Sequence, residues 1–148
     1  MPDSKNTHTR PTWDQYGMML AYTASLRSPD PYKQVGAAAL RIDNSVAGTG
    51  YNGVPPGVEI DWSDRELRRQ YVVHAEVNCL RYCKPSEVAV MYTTLSPCND
   101  CIKTVGAFGI KRIVYSELYH RDQSCFDIAQ KYGMTLDFVL FRPEMLLR

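Results

Sequence analysis

Two short motifs carry side chains able to hold a metal and move protons: His74-Ala75-Glu76 and, about twenty positions later, Pro97-Cys98-Asn99-Asp100-Cys101. Zinc takes imidazole and thiolate ligands in tetrahedral geometry, and a catalytic zinc keeps one position open for water. His74, Cys98 and Cys101 supply three such ligands, which leaves Glu76 free for acid–base work. The chemistry this set supports is hydrolytic, because a bound metal acidifies water and a neighbouring carboxylate can carry the protons.

The spacing dictates how the chain must present these groups. Cys98 and Cys101 are three apart, so on a helix both thiols share one face. Pro97 favours a helix that starts directly after it. The pair then sits in the first turn, where unpaired N–H groups and the helix dipole favour thiolate. His74 and Glu76 are two apart and would point to nearly opposite sides in mid-helix, so they converge only at a helix start. Two helix N-termini must meet at one metal. The pattern His-x-Glu…Pro-Cys-x-x-Cys is also the known signature of zinc base deaminases, in which hydroxide attacks a ring carbon (C4 of a cytosine) and the glutamate is acid and base rather than ligand.

Other readings stay open on the residues alone. A lone Cys-x-x-Cys in a reducing compartment is often redox-active or structural. Cys79 and Cys83, four apart, could join Cys98 and Cys101 in a four-cysteine structural zinc site of a non-catalytic protein. That arrangement leaves His74, Glu76 and Pro97 unexplained. Cys79 and Cys83 read more simply as small core residues of the helix beginning near His74, and Cys125 as core of a later one. His8 reads as inert.

Around these motifs the elements alternate. Thr12 caps a helix, with Gln15 completing a capping box and Trp13, Tyr16, Leu20 and Ala24 forming its apolar face. Pro29 and Pro31 stop it near Ser28. Val35 to Ile42 reads as a strand, Asp43-Asn44-Ser45 as a turn and Val46 to Tyr51 as the return strand. A Gly- and Pro-containing loop covers Asn52 to Gly57. Helices are predicted over 63–70, 74–83, 98–108 and 122–132, with Gly109 ending the third, and strands over 88–94, 112–115 and 135–141. Alternation of this kind predicts an α/β domain with helices on both faces of the sheet. Residues 1–11 read as a polar, disordered tail and 12–148 as a single domain.

Bulk properties narrow the class of substrate. The chain has 148 residues, 45% hydrophobic and 22% charged, with a formal net charge of +1. Nucleic-acid-binding domains usually carry a basic excess or stripe, so a small substrate is expected and no polynucleotide partner. The densest basic run, Arg65 to Arg69, is broken by Glu66 and reads as a solvated helix face. No apolar run reaches the roughly 18 residues of a membrane span, and the N-terminus has no apolar signal region. A cytoplasmic protein is expected, with its five cysteines reduced rather than paired.

Beyond the zinc motif, several segments resemble the deoxycytidylate deaminase family: Arg27-Ser28-Pro29-Asp30-Pro31, Gln34-Val35-Gly36-Ala37, Gly50-Tyr51-Asn52-Gly53-Val54-Pro55, His74-Ala75-Glu76-Val77-Asn78, Ser96-Pro97-Cys98-Asn99-Asp100-Cys101, Gly109-Ile110-Lys111 and Tyr119-His120. The likeness runs from about Tyr22 to Val139. It implies a cytidine-deaminase-like fold, a three-layer α/β/α sandwich around a five-stranded mixed sheet. It also implies hydrolysis of dCMP to dUMP and ammonia, with one catalytic Zn2+.

Within that resemblance Asn52 is a contact to sugar or base, Tyr119 a wall near C5 of the pyrimidine and Ala75 part of the substrate pocket. The Ser96 carbonyl receives the amino group. Arg27 and Ser28 resemble the phosphate-binding pair, a guanidinium fork and a hydroxyl, with Lys33 a weaker candidate for the same task. Tyr32 departs from the family, which often has a small polar residue there. The stretch between Gly57 and Val73 is too short for the second zinc site of some relatives. The family pattern further implies a homohexamer activated by dCTP and inhibited by dTTP, with Mg2+ accompanying the triphosphate and Gly50, Tyr51 and Gly53 at the effector site. A deaminase of another cytosine or adenine substrate, nucleoside or polynucleotide, is the second reading.

Overall fold

The computed structural model describes residues 9–146; most of the expected tail, His8 included, lies outside them. Helix α1 spans Trp13–Ser25 and opens on the predicted capping box: the Thr12 hydroxyl accepts the Gln15 N–H at 3.1 Å, and the Gln15 side chain accepts the Thr12 N–H at 2.9 Å. The helix ends short of Ser28. Leu26, Arg27 and Ser28 donate instead to Thr23, Ala24 and Ser25, three residues back, the tight spacing common where a helix finishes.

The buried face of α1 overlaps only in part the one its large residues suggest: Tyr16 and Leu20 pack half-buried at its edge. Gly17, Met18, Ala21 and Ser25 are buried, while Trp13 is 57% exposed. Small residues win because the helix lies close on the sheet. A Cβ on Gly36 would collide with the Ala21 carbonyl, an approach no larger residue allows.

Strands β1 (Gly36–Leu40), β2 (Val46–Tyr51), β3 (Val90–Thr93), β4 (Arg112–Tyr115) and β5 (Thr135–Phe138) form one sheet in the order β2-β1-β3-β4-β5. β1 is antiparallel to both neighbours, and β3, β4 and β5 run parallel. Asn44, at φ 67°, makes the β1–β2 turn, a conformation that asparagine tolerates. The other helices are α2 (Arg65–Tyr71), α3 (Ala75–Leu80), α4 (Asn99–Ala107) and α5 (Cys125–Tyr132), with a 3-10 turn at Pro143–Leu146. Several predicted spans shorten. After Leu80 the N–H groups of Tyr82 and Cys83 reach back only three residues, which closes α3. The Asp122 carboxylate takes the Ser124 N–H and hydroxyl, which delays α5 to Cys125.

Side-chain alternation along the strands builds two cores. Ala37, Ala39, Met91 and Ile113 face α3, α4 and α5, while Ala38, Leu40, Tyr92 and Val114 face Met18 and Ala21 of α1. The result is the expected three-layer α/β/α sandwich. Among the described residues no helix is long and apolar enough to cross a membrane.

A polar cluster ties the α1 layer to the sheet. Arg112 grips Asp14 through two bonds of 2.8 Å and donates from Nε to Asp137 at 2.8 Å, while the Tyr92 hydroxyl also donates to Asp14. The Arg112 hydrogen bond holds the Asp14 carboxyl below its usual value of 3.8. A depressed carboxylate stabilises the fold above its unfolded pKa, and that contribution is lost as pH falls through the folded value. Asp14→Asn should therefore cost about 1–2 kcal/mol at pH 7, a modest figure because solvent screens this half-exposed pair. Urea titrations should show the gap from wild type closing below pH 3.8.

On the other face β2 touches α3 at Gly50, where an added Cβ would strike the Cys79 amide and lie 2.7 Å from the Ala75 carbonyl. Both are backbone atoms that cannot swing aside. Gly50→Ala should cost about 1–3 kcal/mol, read as a lowered midpoint in thermal denaturation.

Candidate active site

Both motif helices begin where the spacing requires. His74 is the N-cap of α3 (φ −71°, ψ 157°) and Cys98 the N-cap of α4 (φ −76°, ψ 175°). Neither side chain caps its own helix, so the imidazole and thiol are free to meet across the gap. His74 Nδ1 lies 3.2 Å from Cys101 Sγ and 3.5 Å from Cys98 Sγ. The three ligand atoms all fall within 4.8 Å of one another. Zinc bonds of about 2.3 Å to sulfur and about 2.0 Å to nitrogen at a tetrahedral angle place N and S roughly 3.5 Å apart. The donor set fits zinc in both chemistry and spacing.

Burial grades across the set, with His74 exposed, Cys98 half-buried and Cys101 buried. A hydrogen bond from Cys101, reinforced by His74, holds the Cys98 thiol down to about 4, while that shared bond and burial push Cys101 up. The Cys98 bond raises the His74 imidazole. Thiols that share protons in this way exchange them for a cation. Among the described residues this is the one group of three or more potential ligands within reach of an ion. Cys79 lies in the core, and the Cys83 thiol donates to the Cys79 carbonyl at 3.6 Å. The four-cysteine site does not form, and Cys125 is fully buried core.

Glu76 sits in the first turn of α3 at 4% exposure. Burial pushes its carboxyl up, partly opposed by its backbone hydrogen bond and by His74. Desolvation thus places a carboxyl with a raised pKa beside the His74, Cys98 and Cys101 cluster.

These groups line a cavity of about 290 Å³ that also takes in Ala75, Asn52, Ser96 and Tyr119, while Cys101 is not among its lining residues. It opens beyond the carboxyl ends of β3 and β4, the usual ligand-binding edge of parallel strands. Asn52 is 7% exposed; its side-chain oxygen accepts the Val35 N–H at 2.8 Å and its amide donates to the Lys33 carbonyl at 2.9 Å. Ser96 is buried and its hydroxyl accepts the Tyr119 N–H at 2.7 Å, which fixes the Tyr119 loop over the cavity. The Gly53–Val73 bridge, bonded in both directions, steers the chain into His74.

Arg27 and Ser28 stand apart from this lining. Arg27 is exposed, and the Ser28 hydroxyl donates to the Asn52 carbonyl at 2.8 Å. Lys33 does line the cavity and pairs with Glu117 at 2.7 Å. Gly50, Tyr51 and Gly53 border a separate hollow of about 300 Å³. Asp30, Val35 and Leu95 also face the cavity, and Asp122 accepts the Asn99 N–H at the start of α4. Sequence reasoning missed these. Each comes from a loop or strand end whose place depends on the sheet, and no local spacing marks it.

Comparison with known proteins agrees with this site. Residues 11–117 match the family model for the cytidine and deoxycytidylate deaminase zinc-binding region. The deoxycytidylate deaminase of Mus musculus is 36% identical over 119 residues, 73% of this chain and 67% of that protein. That of Mycobacterium phage D29 is 37% identical over 126 residues, 72% of this chain and 96% of that protein. The dCMP deaminase of cyanophage S-TIM5, solved with dCMP and dUMP, superposes with a TM-score of 0.76 at 28% identity, covering 89% of this chain and all of that one. The chain belongs to the deoxycytidylate deaminase family, within the cytidine deaminase-like superfamily.

Proposed function

We propose that this protein hydrolyses free dCMP to dUMP and ammonia with one zinc ion held by His74, Cys98 and Cys101. The observation that carries the reading is the buried carboxyl of Glu76 in the same cavity as His74 and Cys98 of the three-residue cluster. A zinc ion held by these three residues would supply Lewis acidity and acidify water. Glu76 takes a proton from the attacking water and delivers it to ring N3. Oxygen bonds to C4; Glu76 then takes the remaining hydroxyl proton from that oxygen and passes it to the amino group, so that the C4–N bond breaks, ammonia leaves and C4 becomes a carbonyl. Ala75, with no bulk, leaves room for the base. Asn52, its amide held by Val35 and Lys33, contacts the sugar or base, the Ser96 carbonyl receives the amino group, and Tyr119 walls the C5 edge.

We further propose that triphosphates bind, with Mg2+, in the hollow beside Gly50, Tyr51 and Gly53, dCTP activating and dTTP inhibiting a cytoplasmic homohexamer. Two features support a link to catalysis. Arg81 lines that hollow, and Asn78 of α3 donates to the Tyr51 carbonyl at 2.8 Å, joining the hollow to the helix that carries Glu76.

Ultraviolet-monitored deamination of dCMP, CMP, deoxycytidine and a cytosine oligonucleotide should show dCMP as the preferred substrate. Glu76→Gln should lower kcat by about 10²–10⁴-fold with zinc content unchanged, whereas Cys98→Ser should lose zinc and Cys83→Ser keep it. Equal turnover in Glu76→Gln would reject the acid–base assignment. In steady-state kinetics dCTP should convert sigmoidal dCMP dependence to hyperbolic. Hyperbolic curves insensitive to both triphosphates would remove the effector site.

A further inference from the structure

The catalytic cavity does not end at Tyr119. Through Asp30, Lys33, Leu95 and Tyr119 it runs into a broader basin of about 800 Å³. Lys33, Arg65, Arg68, Arg69, His120 and Arg121 line that basin, against only Asp30 and Glu117 as acids. The whole chain carries a net charge of +1, so this concentration of cations is local rather than a share of a general excess. A concave wall of one sign focuses its field on an entering ion of the opposite sign.

Local structure aims these cations. Arg65, Arg68 and Arg69 fall three and four residues apart on α2 and so share a face. Arg68 is held in place, with its guanidinium 4.0 Å from the centre of the Tyr32 ring and Nη1 donating to the Trp62 carbonyl at 2.6 Å. Tyr32 is the position that departs from the family pattern, and it serves here as the platform for an arginine. Lys33 is paired with Glu117, and Arg69 with Glu66. Among the described residues Arg65 and Arg121 have no carboxylate partner, although each lines the basin. Unneutralised guanidiniums facing a hollow that opens onto a substrate pocket call for an anion, and a guanidinium fork matches a phosphate oxygen pair.

We propose that the basin of Arg65, Arg68 and Arg121, reached past Lys33 and Tyr119, seats the 5′-phosphate of the nucleotide in place of Arg27 and Ser28. This assignment rests on the dCMP reading above. Ser28 already spends its hydroxyl proton on the Asn52 carbonyl, and Arg27 lines neither cavity. Arg27-Ser28 then acts as part of the loop that positions Asn52.

The test separates phosphate recognition from chemistry. Arg121→Ala and Arg65→Ala in the zinc-loaded protein should each raise KM for dCMP by about tenfold, with kcat nearly unchanged. Their kcat/KM for deoxycytidine, which lacks the phosphate, should stay at the wild-type value. Arg68→Lys, which retains charge but not the fork or the stacking, should fall between. Inorganic phosphate should compete with dCMP in wild type and lose that effect in Arg121→Ala. The proposal is overturned if these variants keep the wild-type KM while Arg27→Ala raises it, or if a cytosine oligonucleotide outcompetes dCMP for the same arginines. If wild type turns over no dCMP, the functional reading fails separately. Titration of inorganic phosphate followed by NMR then still decides the basin, by whether binding weakens about tenfold in Arg121→Ala.

Discussion

Everything at the active site depends on two helix N-termini facing each other across a gap of a few ångströms. His74 and Cys98 occupy the N-cap positions of α3 and α4, where extended backbone turns the side chain away from its own helix. Their ligand atoms and that of Cys101 come within 4.8 Å. The facing of the helices is set in turn by the sheet. β3 runs into Pro97 and α4, while the Gly53–Val73 bridge anchors the segment that enters α3. Strand order and helix starts are thus one constraint viewed at two scales.

That constraint explains which parts were legible in the sequence. The clustering of His74, Cys98 and Cys101 and the place of Glu76 at a helix start could be read because their geometry is local: three-residue spacing within a turn, two-residue spacing at a cap. The Thr12 capping box and the Asp43-Asn44-Ser45 turn were equally local, and both stand as expected. The burial of α1 was legible only in part: Tyr16 and Leu20 pack against the core, but the centre of the buried face is Gly17, Met18 and Ala21, where the helix lies close on the sheet. The ends of α3 and β5 were overextended because apolar residues continue past them.

The periphery of the site was the least legible part. Asp30, Leu95 and the arginines of α2 meet only through tertiary folding, so no spacing in the chain announces them. The Arg65 to Arg69 run looked like an ordinary solvated face, and on charge and exposure alone it is one. Its meaning comes from the hollow opposite, formed by the segment after β4.

The sheet topology has a consequence for how the three-residue cluster comes together. β1 pairs first with its neighbour in sequence, β2, and only later along the chain with β3 on its other edge. Cys98 and Cys101 follow β3 directly, whereas His74 precedes it. The β1–β2 hairpin is a local pairing, whereas bringing Cys98 and Cys101 to His74 requires the longer-range pairing of β3 beside β1. Closing that longer loop carries an entropic cost before any ligand bond repays it. A chain that ends before Val90 therefore carries His74 without either cysteine of its cluster.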